Sequence, residues 1–94
     1  MATTLTIPRS AQQGPRSLDL RLRSVFREVF DNDKMEIWDG MTSRELPEWD
    51  SLAHVKLIIG LEEEFGVQFT TQEVVEARSV GDLKRLLTLK GITG

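Results

Sequence analysis

The sequence contains no cysteine among its 94 residues, which excludes disulfide frameworks, thiolate nucleophiles and zinc–cysteine centres. No apolar run approaches the roughly 18 residues that a membrane-spanning helix needs. A soluble, intracellular protein of the cytoplasm is expected. Acids are missing from residues 1–16, which hold two prolines and show no periodic apolar face, so a disordered tail is expected there. Two arginines and helix-opposing prolines make that tail a poor organelle-targeting segment. Strand-like alternation of useful length is missing as well, which leaves an all-α chain.

What is present is unevenly charged. The net charge is −3, yet residues 31–64 hold ten acids against three bases, a balance of −7, and the rest holds five acids against nine bases, a balance of +4. An acidic middle repels phosphate backbones, which argues against nucleic acid, and attracts basic protein surfaces. A solvated face that serves solubility is the plainer alternative.

Three longer helices and one short one follow from periodicity and capping. In residues 17–31, Leu18, Leu22, Val25, Phe26, Val29 and Phe30 recur at three- and four-residue steps, with Ser17 as cap. A linker of nineteen residues then runs to Asp50. Loops of that length are uncommon in a compact domain. Its Met35, Ile37, Trp38, Met41, Leu46 and Trp49 predict that it lies pinned across the core. The second helix spans 51–65 and stops at Gly66. Thr70 and Glu73 form a capping box for a short helix to about Ala77. Ser79 and Asp82 repeat the device for a last helix to about Lys90, which buries Val80, Leu83, Leu86, Leu87 and Leu89.

The second helix has a wide apolar arc. Leu57, Ile58, Leu61 and Phe65 make the core stripe. Leu52, Val55 and Ile59 form an adjoining ridge bordered by Glu62 and Glu63. Either the linker covers that ridge or partners do.

At the head of this helix stands "PEWDSLAHVKLIIGLEEEFG", residues 47–66, and three uses compete for its serine. Asp50 or Ser51 can be an ordinary N-cap. Ser51 and His54, three residues apart, can share a helix face as nucleophile and base. Against that stand the absence of a G-x-S-x-G turn, the absence of a second histidine and the scarcity of nearby glycines; His54 reads instead as a partly exposed polar residue near the linker. Thirdly, an exposed serine at the positive end of a helix dipole suits a phosphodiester and needs no activation by its own chain.

"DSLAHVKLIIGLEEEFGVQF", preceded by an apolar-studded linker and followed by "SVGDLKRLL", resembles the acyl carrier proteins of the phosphopantetheine-binding carrier family. The resemblance covers about residues 17–90. It implies a carrier domain over 17–91, a four-helix bundle with a long first loop, and no catalysis by the chain itself. It also implies that a separate magnesium-dependent phosphopantetheinyl transferase attaches 4′-phosphopantetheine to Ser51, with Asp50 helping to organise the transferase's metal. Acyl groups would ride on the arm as thioesters between loading, ketosynthase and acyltransferase enzymes. Leu52, Val55, Ile59, Glu62 and Glu63 match the docking positions of the family. Ala53 and Lys56 stand where acids are common in fatty-acid synthesis, so Lys56 joins the docking face with the opposite sign. That departure points to a specialised pathway, polyketide or nonribosomal peptide, over general fatty-acid synthesis. An aminoacyl or peptidyl carrier loaded by an adenylating enzyme is the alternative within the class; an unmodified helical interaction module is the alternative outside it. A monomer suits a shuttle. Cargo folding back between the helices would be lined by Ile58, Leu61, Val74, Val75 and Leu83.

Overall fold

The computed structural model describes residues 18–92; the expected tail at 1–16 and the cap at Ser17 lie outside them. Four helices follow one another: α1 (Leu18–Val29), α2 (Ser51–Phe65), α3 (Thr71–Glu76) and α4 (Val80–Leu89). Among the described residues the one extended pairing is an isolated bridge between Thr42 and Ser79. The bundle expected from periodicity is the architecture observed.

α1 buries Leu18, Leu22, Val25 and Phe26, the stripe set by its three- and four-residue spacing. It ends with Asp31 in the left-handed region at φ 51°. There Asn32 N–H donates to Arg27 O at 2.9 Å and Asp31 N–H to Glu28 O at 3.3 Å, the paired bonds of a Schellman ending. α2 packs its Leu57, Ile58, Leu61 and Phe65 into the same core. The two helices approach closely at Gly60, where a Cβ would stand 3.0 Å from Val25 Cγ1. Arg21 locks their far ends, bonding Glu64 Oε2 at 3.1 Å and Glu64 O at 2.9 Å while lying 4.4 Å above the Phe65 ring.

The long loop is pinned mostly as expected. Met35, Met41 and Trp49 are buried, and Ile37 and Leu46 pack against the core in part. Trp38 departs from the expectation: it is 52% exposed. The loop is fixed through the first turn of α4, whose N–H groups have no intrahelical partners. Val80 N–H donates to Met41 O at 3.0 Å and Gly81 N–H to Asp39 O at 2.8 Å. A Cβ on Gly81 would stand 3.0 Å from that same Asp39 oxygen, so the close approach favours glycine. Lys84 adds ion pairs to Asp39 and, at 2.7 Å, to Asp19. Burial works to lower the Lys84 pKa, but its bonds to the two aspartates outweigh it and hold the ammonium above its ordinary value.

α3 has the expected capping box between Thr70 and Glu73, and it keeps no buried side chain of its own. Glu73 also pairs with Lys90 at 2.9 Å. α4 opens on Ser79, whose hydroxyl accepts from Asp82 N–H. The reciprocal half of that device differs from expectation, because the Asp82 carboxylate accepts from Arg78 N–H, one residue ahead of the cap. Leu89 is exposed rather than buried, since it lies on the α4 face turned away from Leu83 and Leu87.

Three expected outcomes follow from these contacts. Gly81→Ala should cost about 1–3 kcal/mol in urea unfolding, because the loop carbonyl must give way. Asp31→Gly should stabilise by roughly 0.5–1 kcal/mol, relieving both the left-handed strain and a negative charge at a helix C-terminus. The bond from Lys90, then that from Thr70 N–H, hold the Glu73 carboxyl below its ordinary 4.5; the bond from Arg78 N–H holds Asp82 below 3.8. Their stabilisation is whole above those ordinary values and is lost as pH falls through the lower folded-state values. A Glu73→Gln, Asp82→Asn variant should therefore be less stable at neutral pH, with urea midpoints that fall less steeply on acidification.

Candidate functional site

Asp50 and Ser51 divide the work at the head of α2. Asp50 is the N-cap, extended at φ −93° and ψ −171°, and its carboxylate accepts from Ala53 N–H at 2.9 Å. Ser51 is the first helical residue and is exposed. Among the described residues no hydrogen bond engages its hydroxyl. Asp50 thus does the capping, and the serine oxygen is left free.

The neighbouring histidine is committed elsewhere. Trp49 is buried against Phe26, ring centroids 5.4 Å apart and nearly perpendicular. Its indole N–H donates to His54 Nδ1 at 3.0 Å, and His54 Nε2 lies 2.9 Å from Val74 O. An indole N–H only donates, so Nδ1 is the acceptor and the ring proton sits on Nε2, donating to Val74. Both nitrogens are spent, one on the loop and one on α3. His54 is not placed to serve Ser51 as a general base in this arrangement, which leaves the hydrolase reading without its base. It is the partly exposed polar residue near the linker that the sequence suggests, and it also braces the loop against α3. Its signal in the sequence was only a lone histidine five residues after a tryptophan, which does not reveal the bond.

The ridge on α2 is open. Leu52 is 65% exposed, Val55 50% and Ile59 49%, so the loop does not cover them. Lys56 and Glu63 are exposed beside them. Glu62 differs: it is half-buried and its carboxylate accepts from Phe69 N–H at 2.9 Å, holding the link to α3.

A groove of about 620 Å³ opens beside Ser51, lined on the α2 side by Asp50, Ser51, His54 and Val55, and on the α3 side by Val74, Val75, Ala77 and Arg78. Its position corrects the cavity expected from the sequence. Ile58, Leu61 and Leu83 are packed into the core, whereas Val74 and Val75 line this surface groove and Val75 is exposed. These three residues belong to the shared core, and the groove lies outside them.

Residues 48–87 match the sequence model of the family described as "Phosphopantetheine attachment site". No curated protein matches the chain significantly. Among solved structures, the chain is similar to a holo acyl carrier protein from Geobacter metallireducens, determined in solution by NMR. The TM-score is 0.68 and the identity 29%, over 81% of this chain and 94% of that one. The matched segment starts just before Asp50, runs through α2 and α3 and ends in α4. Residues 48–87 thus carry the match to a phosphopantetheine attachment site, the fold is that of the acyl carrier protein, and the two together support a 4′-phosphopantetheine prosthetic group. Carriers of this family are generally non-catalytic and are served by a phosphopantetheinyl transferase and by acyl-handling enzymes. The residues present fit the group: an unengaged hydroxyl, a helix N-terminus suited to a phosphodiester, and an adjoining groove with an arginine on its rim. Among the described residues no helix is long and apolar enough to cross a membrane.

His54→Ala should lower stability by about 2 kcal/mol, leaving the indole N–H without its partner. Measured in a Trp38→Phe background, so that Trp49 is the one tryptophan emitting, urea unfolding should show the loss and the native emission should move to the red.

Proposed function

We propose that Ser51 is the attachment residue and that the unit spanning residues 17–91 is a cytoplasmic acyl shuttle. The observation that carries this is the division of labour at the α2 head: Asp50 holds the cap, so the Ser51 hydroxyl stands exposed and unengaged. When bound, the group supplies a terminal thiol that carries acyl cargo as a thioester. The chain's own part is to present the oxygen, to orient its transferase and to keep His54 out of the chemistry. Asp50, with only one carboxylate oxygen bonded to Ala53 N–H, has a second oxygen to offer the transferase's magnesium. The chain itself performs no catalysis.

Partners dock on Leu52, Val55 and Ile59, with Lys56 and Glu63 setting orientation and Glu62 contributing less because its carboxylate is engaged. Lys56 lies within the ridge, where a partner adapted to an all-acidic face would meet a like charge. The carrier therefore serves a specialised assembly, polyketide or nonribosomal, with ketosynthase, acyltransferase or adenylating enzymes as its partners. It works as a monomer.

Incubation with coenzyme A, magnesium and a promiscuous phosphopantetheinyl transferase should raise the intact mass by one phosphopantetheine. Ser51→Ala should abolish the gain while unfolding within about 0.5 kcal/mol of wild type, since the cap remains. A folded Ser51→Ala protein that still gains the mass would defeat the assignment. For the pathway, Lys56→Glu should raise acyl transfer from a housekeeping fatty-acid synthase roughly three- to tenfold; equal rates for both proteins would count against a dedicated partner.

A further inference from the structure

The groove beside Ser51 has one arginine, Arg78, and one carboxylate, Asp50. Among the described residues most cations are ion-paired: Arg21 to Glu64, Arg23 and Arg27 to Glu36, Lys84 to Asp19 and Asp39, Arg85 to Asp82, Lys90 to Glu73. Arg78 is not. Among the described residues its guanidinium has neither an ion pair nor a hydrogen bond. Its backbone is nevertheless anchored, because its N–H donates to the Asp82 carboxylate at 3.0 Å and Ala77 beside it is buried. A fixed stem and a free planar fork of donors suit a phosphate diester, which such a fork can grip with two parallel bonds. Beyond Asp50, which caps α2 through Ala53 N–H, the lining carries no acid, and its apolar part includes Val55, Val74, Val75 and Ala77.

We propose that Arg78 pairs with the phosphodiester of the prosthetic group on Ser51 and thereby lays the arm along the groove between α2 and α3, against Val74 and Val75. This rests on Ser51 as attachment residue and adds a resting position for the arm, set by a residue of α4's approach rather than of the docking helix. The pairing is exposed, so salt weakens it, and a partner that supplies its own cation to the phosphate can draw the arm out.

The test uses the holo protein with an unacylated arm, in which the phosphodiester is the arm's only anion. Intact mass first establishes modification. Methyl and arginine Nε–Hε spectra of apo and holo protein are then compared, with nuclear Overhauser contacts sought between the arm and the Val74 and Val75 methyls. Holo wild type should show those contacts and a shifted Arg78 Nε–Hε signal, both fading at high salt. Arg78→Gln, equally modified by mass, should lose the contacts and change the 31P resonance; Arg78→Lys should keep part of them. Modified wild type without the contacts, or Arg78→Gln that retains them, would overturn the role of Arg78 and leave Ser51 standing. No mass gain in wild type would overturn both readings. A carboxylate cargo as the true partner of Arg78 would appear as contacts present only after loading with a dicarboxylic acyl group, which also defeats the proposal.

Discussion

Trp49, the residue before the Asp50–Ser51 pair, meets two elements directly and a third through His54. Its ring lies edge-on to Phe26 of α1, and its N–H bonds His54 of α2, whose other nitrogen reaches the Val74 carbonyl of α3. The long loop therefore ends at a fixed point, and the serine that follows emerges in a fixed direction. Buried polar groups of this kind are stable only when every partner is present. Here each donor has its acceptor. Positioning of the site depends on that chain of two hydrogen bonds more than on the helix cap, which any Asp or Ser could provide.

The acidic middle of the chain looks different once its partners are known. Glu36 bonds Arg23 and Arg27, Asp39 bonds Lys84, Glu64 bonds Arg21, Glu45 bonds Thr42, and Glu62 accepts from Phe69 N–H. Much of the surplus negative charge is thus structural, tying loop to helix and helix to link. A charge sum cannot separate such acids from those left to face a partner. On α2 the open face is a three-residue apolar ridge with Lys56 and Glu63 beside it, a far more balanced surface than the count of −7 suggests.

The four helices were legible because each carries its own local signal: a periodic stripe in α1, Gly66 after α2, Thr70 with Glu73 before α3, Ser79 before α4. Tertiary choices were not. Periodicity gave the second ridge of α2 no cover or exposure, since that depends on where a nineteen-residue loop runs, and the loop runs instead to the first turn of α4. Trp38 and Leu89 face solvent despite their hydrophobicity, because sequence spacing does not say which apolar residues of a loop or a helix end turn inward. The free Ser51 oxygen could not be read either, as Asp50 and Ser51 are equally good caps on paper. Val74 and Val75 line a surface groove, whereas Ile58, Leu61 and Leu83 lie in the core, a division that helical spacing does not reveal.

α3 is six residues long and contributes no side chain to the sealed interior. It is moored at its edges, by Lys90 to Glu73 and by His54 to the Val74 carbonyl. Elements with so little buried apolar surface open at a small fraction of the cost of global unfolding. α3 is therefore the part of the bundle that local opening reaches most readily, and its two moorings are contacts such opening must break.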